Sequence, residues 1–155
     1  MEFCRGRDSR LGRPANAVED LCAVVRLTEE HDMTLATGYE YAMRKIREFG
    51  GGHITSWGSM PCAGGSPWQC VNEVKYYRSG DERSLGRLRG LRATFRRLFL
   101  AFQDLTEEVT WKMGTACPEW PTSCQYWRGP EVREYVLTYS LTRANLHGCA
   151  YGLKN

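Results

Sequence analysis

The strongest constraint on the fold is an alternation, along most of the chain, of short apolar runs of β type with segments whose apolar residues recur every three or four positions. Strands that are separated by helices pair in parallel, because a helical crossover returns the chain to the same end of the sheet. We therefore predict an α/β fold with a Rossmann-like, mostly parallel sheet and helices on both faces, in which residues 1–155 form a single domain. The predicted strands are 1–4, 22–27, 53–59, 115–119 and 141–151, and the predicted helices are 15–20, 35–49, 84–113 and 131–139.

Composition limits the class of protein and the kind of site. The chain is 42% hydrophobic and 25% charged, as ordinary globular domains are, and its net charge of +3 is too small to indicate nucleic-acid binding. Its seven cysteines form no C-x-x-C pair, which favours reduced thiols over disulfides or zinc, so no metal is expected. No secretory signal or membrane-spanning run is visible, which predicts an intracellular protein of the cytoplasm or nucleus without a membrane partner.

One thiol lies where a predicted strand gives way to a loop rich in glycine and proline. Cys62 follows Pro61 and precedes Ala63, Gly64 and Gly65. Proline fixes the direction of the chain before the thiol, and the glycines allow a ligand or backbone to approach closely. Because reactive side chains gather at the carboxyl ends of parallel strands, Cys62 is a candidate nucleophile. The alternative is a buried cysteine in a strand-end turn.

A carboxylate occupies the corresponding place after another predicted strand. Glu119 lies between Pro118 and Pro121 in an apolar surrounding, where a desolvated carboxylate can carry a proton. Because both residues follow strands of one parallel sheet, we expect Cys62 and Glu119 at its same, carboxyl edge. The alternative is a glutamate on a turn that pairs with an arginine.

These positions resemble the catalytic core of cytosine-5 DNA methyltransferases. Pro61-Cys62 is similar to the Pro-Cys nucleophile of that family, and Glu119 to the carboxylate that holds the ring nitrogen of cytosine. The resemblance is closer to diverged methyltransferase-like segments of retroelement polyproteins and related protist proteins. The segments that carry it are Glu2-Phe3-Cys4, Ser9-x-Leu11-Gly12, Arg26-Leu27-Thr28-Glu29, Pro61-Cys62-x-Gly64-Gly65-Ser66-Pro67-Trp68-Gln69, Glu119-Trp120-Pro121 and the tail at 145–153.

The resemblance implies S-adenosylmethionine as the cofactor. An acidic side chain after the second strand commonly binds ribose hydroxyls in dinucleotide-type folds, which makes Glu29 a candidate, with Asp32 near the adenine. The alternative for both is a solvated acidic loop. The other residues that the resemblance places at the cofactor are Phe3, Ser9, Gly12 and Pro61.

Three departures from the family pattern predict an incomplete or weakly active enzyme. The usual Phe-x-Gly-x-Gly loop is replaced by Phe3-Cys4-Arg5-Gly6, and Trp120 stands where the family has an Asn after the catalytic Glu. A strand of the Gln-x-Arg-x-Arg type would lie beyond Asn155, so the fold is expected to be truncated.

A cluster of arginines on the predicted helix 84–113 indicates a second kind of function. Arg87, Arg92 and Arg96 are candidate ligands for a phosphate backbone, so nucleic acid is a candidate partner. The alternative is a solvated helix face whose arginines pair with acidic residues elsewhere. The functions left open beside the methyltransferase are a non-catalytic nucleic-acid or partner-binding module derived from such an enzyme, and an inert polyprotein fragment.

Overall fold

A computed structural model describes residues 1–3, 24–28 and 30–145 of the chain. Two short 3-10 turns lie at Ala63–Gly65 and Gln125–Arg128. The strands and helices are, in chain order, β1 (Glu2–Phe3), β2 (Arg26–Leu27), α1 (Ala36–Glu48), β3 (Thr55–Gly58), α2 (Pro67–Ser79), α3 (Glu82–Trp111), β4 (Thr115–Pro118) and α4 (Pro130–Thr138).

The four strands form one parallel sheet in the order β2-β1-β3-β4. Strand β1 lies between β2 and β3, with Phe3 opposite Leu27 on one side and opposite Gly58 on the other. Strand β4 completes the sheet, with Gly58 opposite Pro118. The predicted α/β class with a parallel sheet is therefore confirmed, although each strand is only two to four residues long.

Helix α3 supplies the largest share of the core. It is preceded by the N-cap residue Asp81, whose side chain accepts a hydrogen bond from the backbone N–H of Ser84 at 3.0 Å. Its apolar residues return every three or four positions and form one buried face against the sheet. That face consists of Leu85, Leu88, Phe95, Leu98, Phe99, Ala101, Phe102, Leu105 and Val109.

Gly58 sets how closely α3 approaches β3. A Cβ atom added there would lie 2.6 Å from the Phe102 ring, so only glycine allows this contact. Because side chains alternate along a strand, Ser56 faces α3 as Gly58 does, and both are buried. Trp57 and its neighbour Cys117 face the other side of the sheet and are half-buried.

The described helices gather around α3 rather than on both faces of the sheet. Helices α1 and α2 contact α3 directly, and Tyr135 of α4 packs its ring edge-on against Phe99 at 5.3 Å. The prediction of helices on both faces is therefore not met by residues 1–3, 24–28 and 30–145. The helix predicted at 15–20 lies outside the described residues.

The element predictions have mixed outcomes. Helices α1, α3 and α4 are confirmed to within two residues at each end, as are β3 and β4. The strand predicted at 22–27 is limited to Arg26–Leu27 among its described residues. The strand predicted at 141–151 is wrong for 141–145, which has no regular structure, and 146–151 lies outside the described residues. Helix α2 was not predicted, and no described helix is long and apolar enough to cross a membrane.

Candidate functional site

The carboxyl edge of the sheet brings the two candidate catalytic residues to neighbouring strands. Cys62 lies four positions beyond the end of β3, and Glu119 follows β4 directly. The backbone N–H of Glu119 donates a hydrogen bond to the Gly58 carbonyl oxygen at 2.7 Å, which continues the ladder between the two strands past the end of β4. The expected placement of both residues at one carboxyl edge is therefore confirmed.

Cys62 begins the short 3-10 turn that precedes α2. Its φ of −92° and ψ of 0° lie in the sparsely populated bridge region, which is common at turns and at active sites. Its carbonyl oxygen accepts a hydrogen bond from the Gly65 N–H at 2.9 Å, and its side chain is half-buried against the core. The thiol is thus held by a tight turn and is partly accessible.

The two glycines after Cys62 accommodate an aromatic ring of the same chain. A Cβ atom at Gly64 would lie 2.5 Å from the Tyr126 hydroxyl, and one at Gly65 would lie 2.9 Å from the ring. The Tyr126 ring also stacks on Phe95, with ring centroids 3.5 Å apart and planes 9° from parallel. Tyr126 and the neighbouring backbone of α3 therefore occupy the space beside these glycines, which leaves no room there for a ligand.

Tyr126 places a buried hydroxyl group next to the turn that follows Cys62. Its hydroxyl is buried and has no hydrogen-bond partner within the described part of the chain. Burial raises the pKa of Tyr126 to about 12, so its hydroxyl stays protonated at neutral pH. This hydroxyl can therefore donate a hydrogen bond to a polar group next to the turn.

Two other cysteines differ from Cys62 in their surroundings. Burial raises the pKa of Cys117, on the face of the sheet opposite α3, and that of Cys124, which is buried before the second 3-10 turn. Such thiols are poor nucleophiles at neutral pH. Cys70 on α2 is exposed. Cys62 and Cys117 are both half-buried, but Cys62 lies in the turn beyond the carboxyl edge of the sheet, whereas Cys117 lies within β4.

Trp120 contributes packing where the resembled family has an amide. It is 8% exposed and forms edge-on or tilted ring contacts with Phe95, Phe99 and Trp127. Its indole N–H is buried without a hydrogen-bond partner among the described residues. The residue that follows Glu119 is therefore part of an aromatic cluster in the core.

The candidate cofactor residues are only partly described. Phe3 ends β1, beside the point where the strand order reverses, and Pro61 is exposed in the turn after β3. Asp32 is exposed, and its Oδ1 accepts hydrogen bonds from the Thr34 N–H at 2.8 Å and the Thr34 hydroxyl at 2.7 Å. These bonds lower the pKa of Asp32, and they give this carboxylate a turn-forming role before α1. Ser9, Gly12 and Glu29 lie outside the described residues.

The three candidate phosphate-binding arginines have different environments. Arg92 donates two hydrogen bonds to the Glu73 carboxylate, both at 2.7 Å, and a third to the Gly64 carbonyl oxygen at 3.2 Å. Arg96 approaches Glu131 at 3.7 Å, and Arg87 is exposed. Arg92 therefore ties α3 to α2 and to the turn after Cys62, which is a structural role rather than that of a phosphate ligand.

Sequence reasoning missed Tyr126 and Glu73, which shape the surroundings of Cys62. Tyr126 carries no local signal, because its role depends on two glycines about sixty positions earlier. Glu73 could have been detected from the sequence, because it is the only acidic residue of α2 and precedes the arginine-rich start of α3. The described residues contain no group of histidine, cysteine and carboxylate side chains that could hold a metal ion.

Comparisons with family models, with curated proteins and with solved structures returned no match to this chain.

Proposed function

We propose that this chain is a Rossmann-like, methyltransferase-type domain that transfers a methyl group from S-adenosylmethionine to a cytosine-type base, with Cys62 as the nucleophile and Glu119 as the partner of the ring nitrogen. The observation that carries the proposal is the reversal of strand order at the carboxyl edge. The chain passes from β1 to β2 on one side and then to β3 on the other. Ligands of open α/β sheets bind outside the carboxyl ends of the strands at such a reversal.

The two catalytic candidates support the proposal by their positions. Cys62 follows β3, which borders the reversal, and Glu119 follows the adjacent strand β4. A substrate ring between them would meet a thiol on one side and a carboxyl group on the other. Covalent catalysis on a base needs both, because a nucleophile adds to the ring only when the ring nitrogen is polarised.

The chemistry follows from these two groups. The Cys62 thiolate forms an S–C bond at carbon-6, and the electron pair of the double bond between carbon-5 and carbon-6 shifts toward carbon-5 and the conjugated ring nitrogen 3. The Glu119 carboxyl group, carrying a proton, donates it to nitrogen 3 and so balances the charge that the thiolate adds. Carbon-5 thereby becomes nucleophilic. When bound, S-adenosylmethionine would supply an electrophilic methyl group. Loss of the carbon-5 proton to a base then restores the double bond and releases the thiolate.

The described residues fit this cofactor by location. Phe3 at the end of β1 and Pro61 after β3 flank the reversal, where the adenine and the methionine part would lie. Glu29 would hold the ribose hydroxyls, with Asp32 near the adenine and the loop from Ser9 to Gly12 along the methionine part. Trp120 in place of an amide and Tyr126 over Gly64 and Gly65 both favour a weakly active enzyme.

The first experiment tests the thiol. We expect an oligonucleotide that contains 5-fluorocytosine to become covalently attached in the presence of S-adenosylmethionine, since fluorine at carbon-5 leaves no proton for the final elimination. Peptide mass spectrometry should locate the adduct at Cys62, and Cys62→Ser should abolish it. Cys70→Ser is the matched control, because Cys70 is more exposed but lies on the outer face of α2.

The order in which iodoacetamide alkylates the cysteines shows whether chemical activation or solvent exposure decides their reactivity. If exposure alone decides reactivity, iodoacetamide modifies Cys70 before Cys62. If Cys62 is an activated nucleophile, it reacts first at neutral pH although it is half-buried. Modification of Cys70 first, together with no adduct, would refute the catalytic proposal.

Cofactor binding is measured independently of the thiol. We expect titration calorimetry to detect weak binding of S-adenosylmethionine by both the wild-type chain and Cys62→Ser, and Glu29→Ala to weaken it. Absence of heat at millimolar ligand with the folded protein would remove the cofactor from the proposal. Salt-sensitive oligonucleotide binding without an adduct would favour a non-catalytic binding module.

A further inference from the structure

The outer face of α3, opposite its buried face, carries a row of exposed residues whose order is symmetric about Leu100. The residues recur at steps of four, three, four, four, three and four positions, which keeps them on one side of an α-helix. The whole row spans about 33 Å at 1.5 Å per residue. We call it the α3 seam, and it consists of Arg89, Ala93, Arg96, Leu100, Asp104, Glu107 and Trp111, all exposed.

The charges of the α3 seam are divided between its halves. Arg89 and Arg96 lie before Leu100, and Asp104 and Glu107 lie after it. The arginine side chains are 63% and 71% exposed, and their contacts with acidic groups of the same chain are long, at 4.0 Å for Arg89 and 3.7 Å for Arg96. Each half therefore presents charge outward, and the signs of the two halves are opposite.

Two large apolar residues of the α3 seam are also exposed. Leu100 at its centre is 60% exposed, and Trp111 at its end is 82% exposed. Ala93 leaves little side-chain bulk about two helical turns before the centre. Solvated helix faces rarely place a leucine and a tryptophan in one row with charges of ordered sign, whereas a central apolar contact with charged flanks is typical of a paired helix.

We propose that the α3 seam binds the α3 seam of a second copy of this chain, with the two helices antiparallel and the two-fold axis at Leu100. In this register each residue opposes the one equally far on the other side of position 100. Arg96 then faces Asp104 of the other copy, and Arg89 faces its Trp111, where a guanidinium can stack on the indole. Leu100 packs against its own counterpart.

The antiparallel direction follows from the charges. A parallel pair would place arginine against arginine and carboxylate against carboxylate along the whole row, which is destabilising. Antiparallel pairing replaces these contacts with two attractive Arg96–Asp104 pairs, sets Arg89 against Trp111 and leaves Glu107 opposite Ala93, and the contacts are the same on both copies, as an isologous dimer requires. The acidic half has one neighbour within the same chain, because the Tyr39 hydroxyl forms a hydrogen bond with Asp104.

A charge-swap experiment tests this register. Sedimentation equilibrium should find a dimer for the full chain, and Arg96→Asp or Asp104→Arg alone should each raise the dimer dissociation constant at least tenfold, since each creates two repulsive contacts. An equimolar mixture of the two variants should form a heterodimer, because every opposed pair is attractive again. Arg83→Asp is the control, since Arg83 is exposed on α3 but lies outside the α3 seam.

The two-fold axis gives a second, independent test. Leu100→Cys should form a disulfide-linked dimer under mild oxidation, because position 100 meets itself, whereas Ala93→Cys should not. Circular dichroism should show that all variants remain folded, as substitutions at exposed positions permit. A monomer at every concentration, a dimer that Arg96→Asp leaves intact, or cross-linking through position 93 rather than 100 would overturn the proposal.

Discussion

The ion pair between Arg92 and Glu73 joins the elements that surround Cys62. Removing it should lower the free energy of unfolding by a measurable amount. Two parallel hydrogen bonds of 2.7 Å join the guanidinium and the carboxylate, with side chains 33% and 30% exposed. The Arg92 Nε–H also donates to the Gly64 carbonyl oxygen. Arg92→Ala, Glu73→Ala and the double variant form a cycle that isolates the energy of the pair.

The structure sets the expected size of that energy. Exposed ion pairs contribute about 0.2–1 kcal/mol, and hydrogen bonds to charged groups about 1.5–3 kcal/mol. Because the pair is bidentate but about one third exposed, we expect a coupling energy of about 1–1.5 kcal/mol. The pair of Arg47 and Glu108 is a matched control: it also joins two helices, but its bonds are 3.2 and 3.3 Å and Arg47 is 63% exposed. Its coupling energy should stay below about 0.5 kcal/mol.

Urea unfolding followed by circular dichroism measures both cycles. The hydrogen bonds from Arg92 lower the pKa of Glu73. The stability that this carboxylate contributes is therefore fully present above its unfolded-state pKa and is lost as the pH falls through its lower folded-state pKa. The difference in stability between wild type and Glu73→Gln should shrink over that acidic range. Equal coupling energies for the Arg92–Glu73 and Arg47–Glu108 pairs would refute the reasoning. So would a stability difference between wild type and Glu73→Gln that does not change as the pH falls.

Two further predictions concern the core. Thr106 donates its hydroxyl proton to the Phe102 carbonyl oxygen at 2.8 Å, so the buried Tyr135 hydroxyl donates to Thr106 Oγ1 at 2.9 Å. Thr106→Val leaves that donor without a partner and should lower the free energy of unfolding by about 1–3 kcal/mol, whereas Tyr135→Phe should lower it by only about 0.5–1.5 kcal/mol. A larger loss for Tyr135→Phe than for Thr106→Val in urea unfolding would contradict this prediction. Gly58→Ala should destabilise the protein by about 1–3 kcal/mol, because the added methyl group would clash with Phe102. Gly90 has open space around it, so Gly90→Ala should stabilise the protein by about 0.5–1 kcal/mol. Similar melting temperatures for the two variants would contradict this prediction.

The sequence predicted those helices whose apolar residues face the core. In α1, Ala42, Met43 and Ile46 are buried, and in α4 Val132 and Tyr135 are buried, so the periodicity in the sequence corresponds to a buried face. Strands β3 and β4 could be placed for a similar reason, since glycine and proline mark where each one ends.

Helix α2 could not be predicted in this way, because its pattern is inverted. The side it turns toward α3 carries Asn72 and Glu73, and its valines lie on the outer side, where Val71 is 62% exposed. None of its residues is buried. The ends of α2 do carry local signals, because Pro67 occupies the first helical position and Gly80 caps the C-terminus in the left-handed conformation. The contact between Glu73 and Arg92, nineteen positions away, holds the helix against α3.

The candidate site was predictable in position but not in detail. Proline before Cys62 and the strand before Glu119 were sufficient to place both at one edge, because parallel strands share a direction. The role of the glycines was not predictable, since Tyr126 reaches them only after the chain has crossed α3 and β4. Pairing of Arg92 with an acid elsewhere was foreseen as an alternative, and the structure favours it.

Because α2 has no buried residues, it is expected to open more often than the rest of the domain, and this affects the surroundings of Cys62. Opening a helix that buries little apolar surface costs much less free energy than unfolding the whole domain, so α2 is expected to exchange its amide hydrogens ahead of α3. Such an opening would separate Glu73 from Arg92 and release the turn that follows Cys62. We therefore expect the accessibility of the Cys62 thiol to depend on a minor, locally opened population as well as on the ground state, and a stronger Arg92–Glu73 ion pair to make that population rarer.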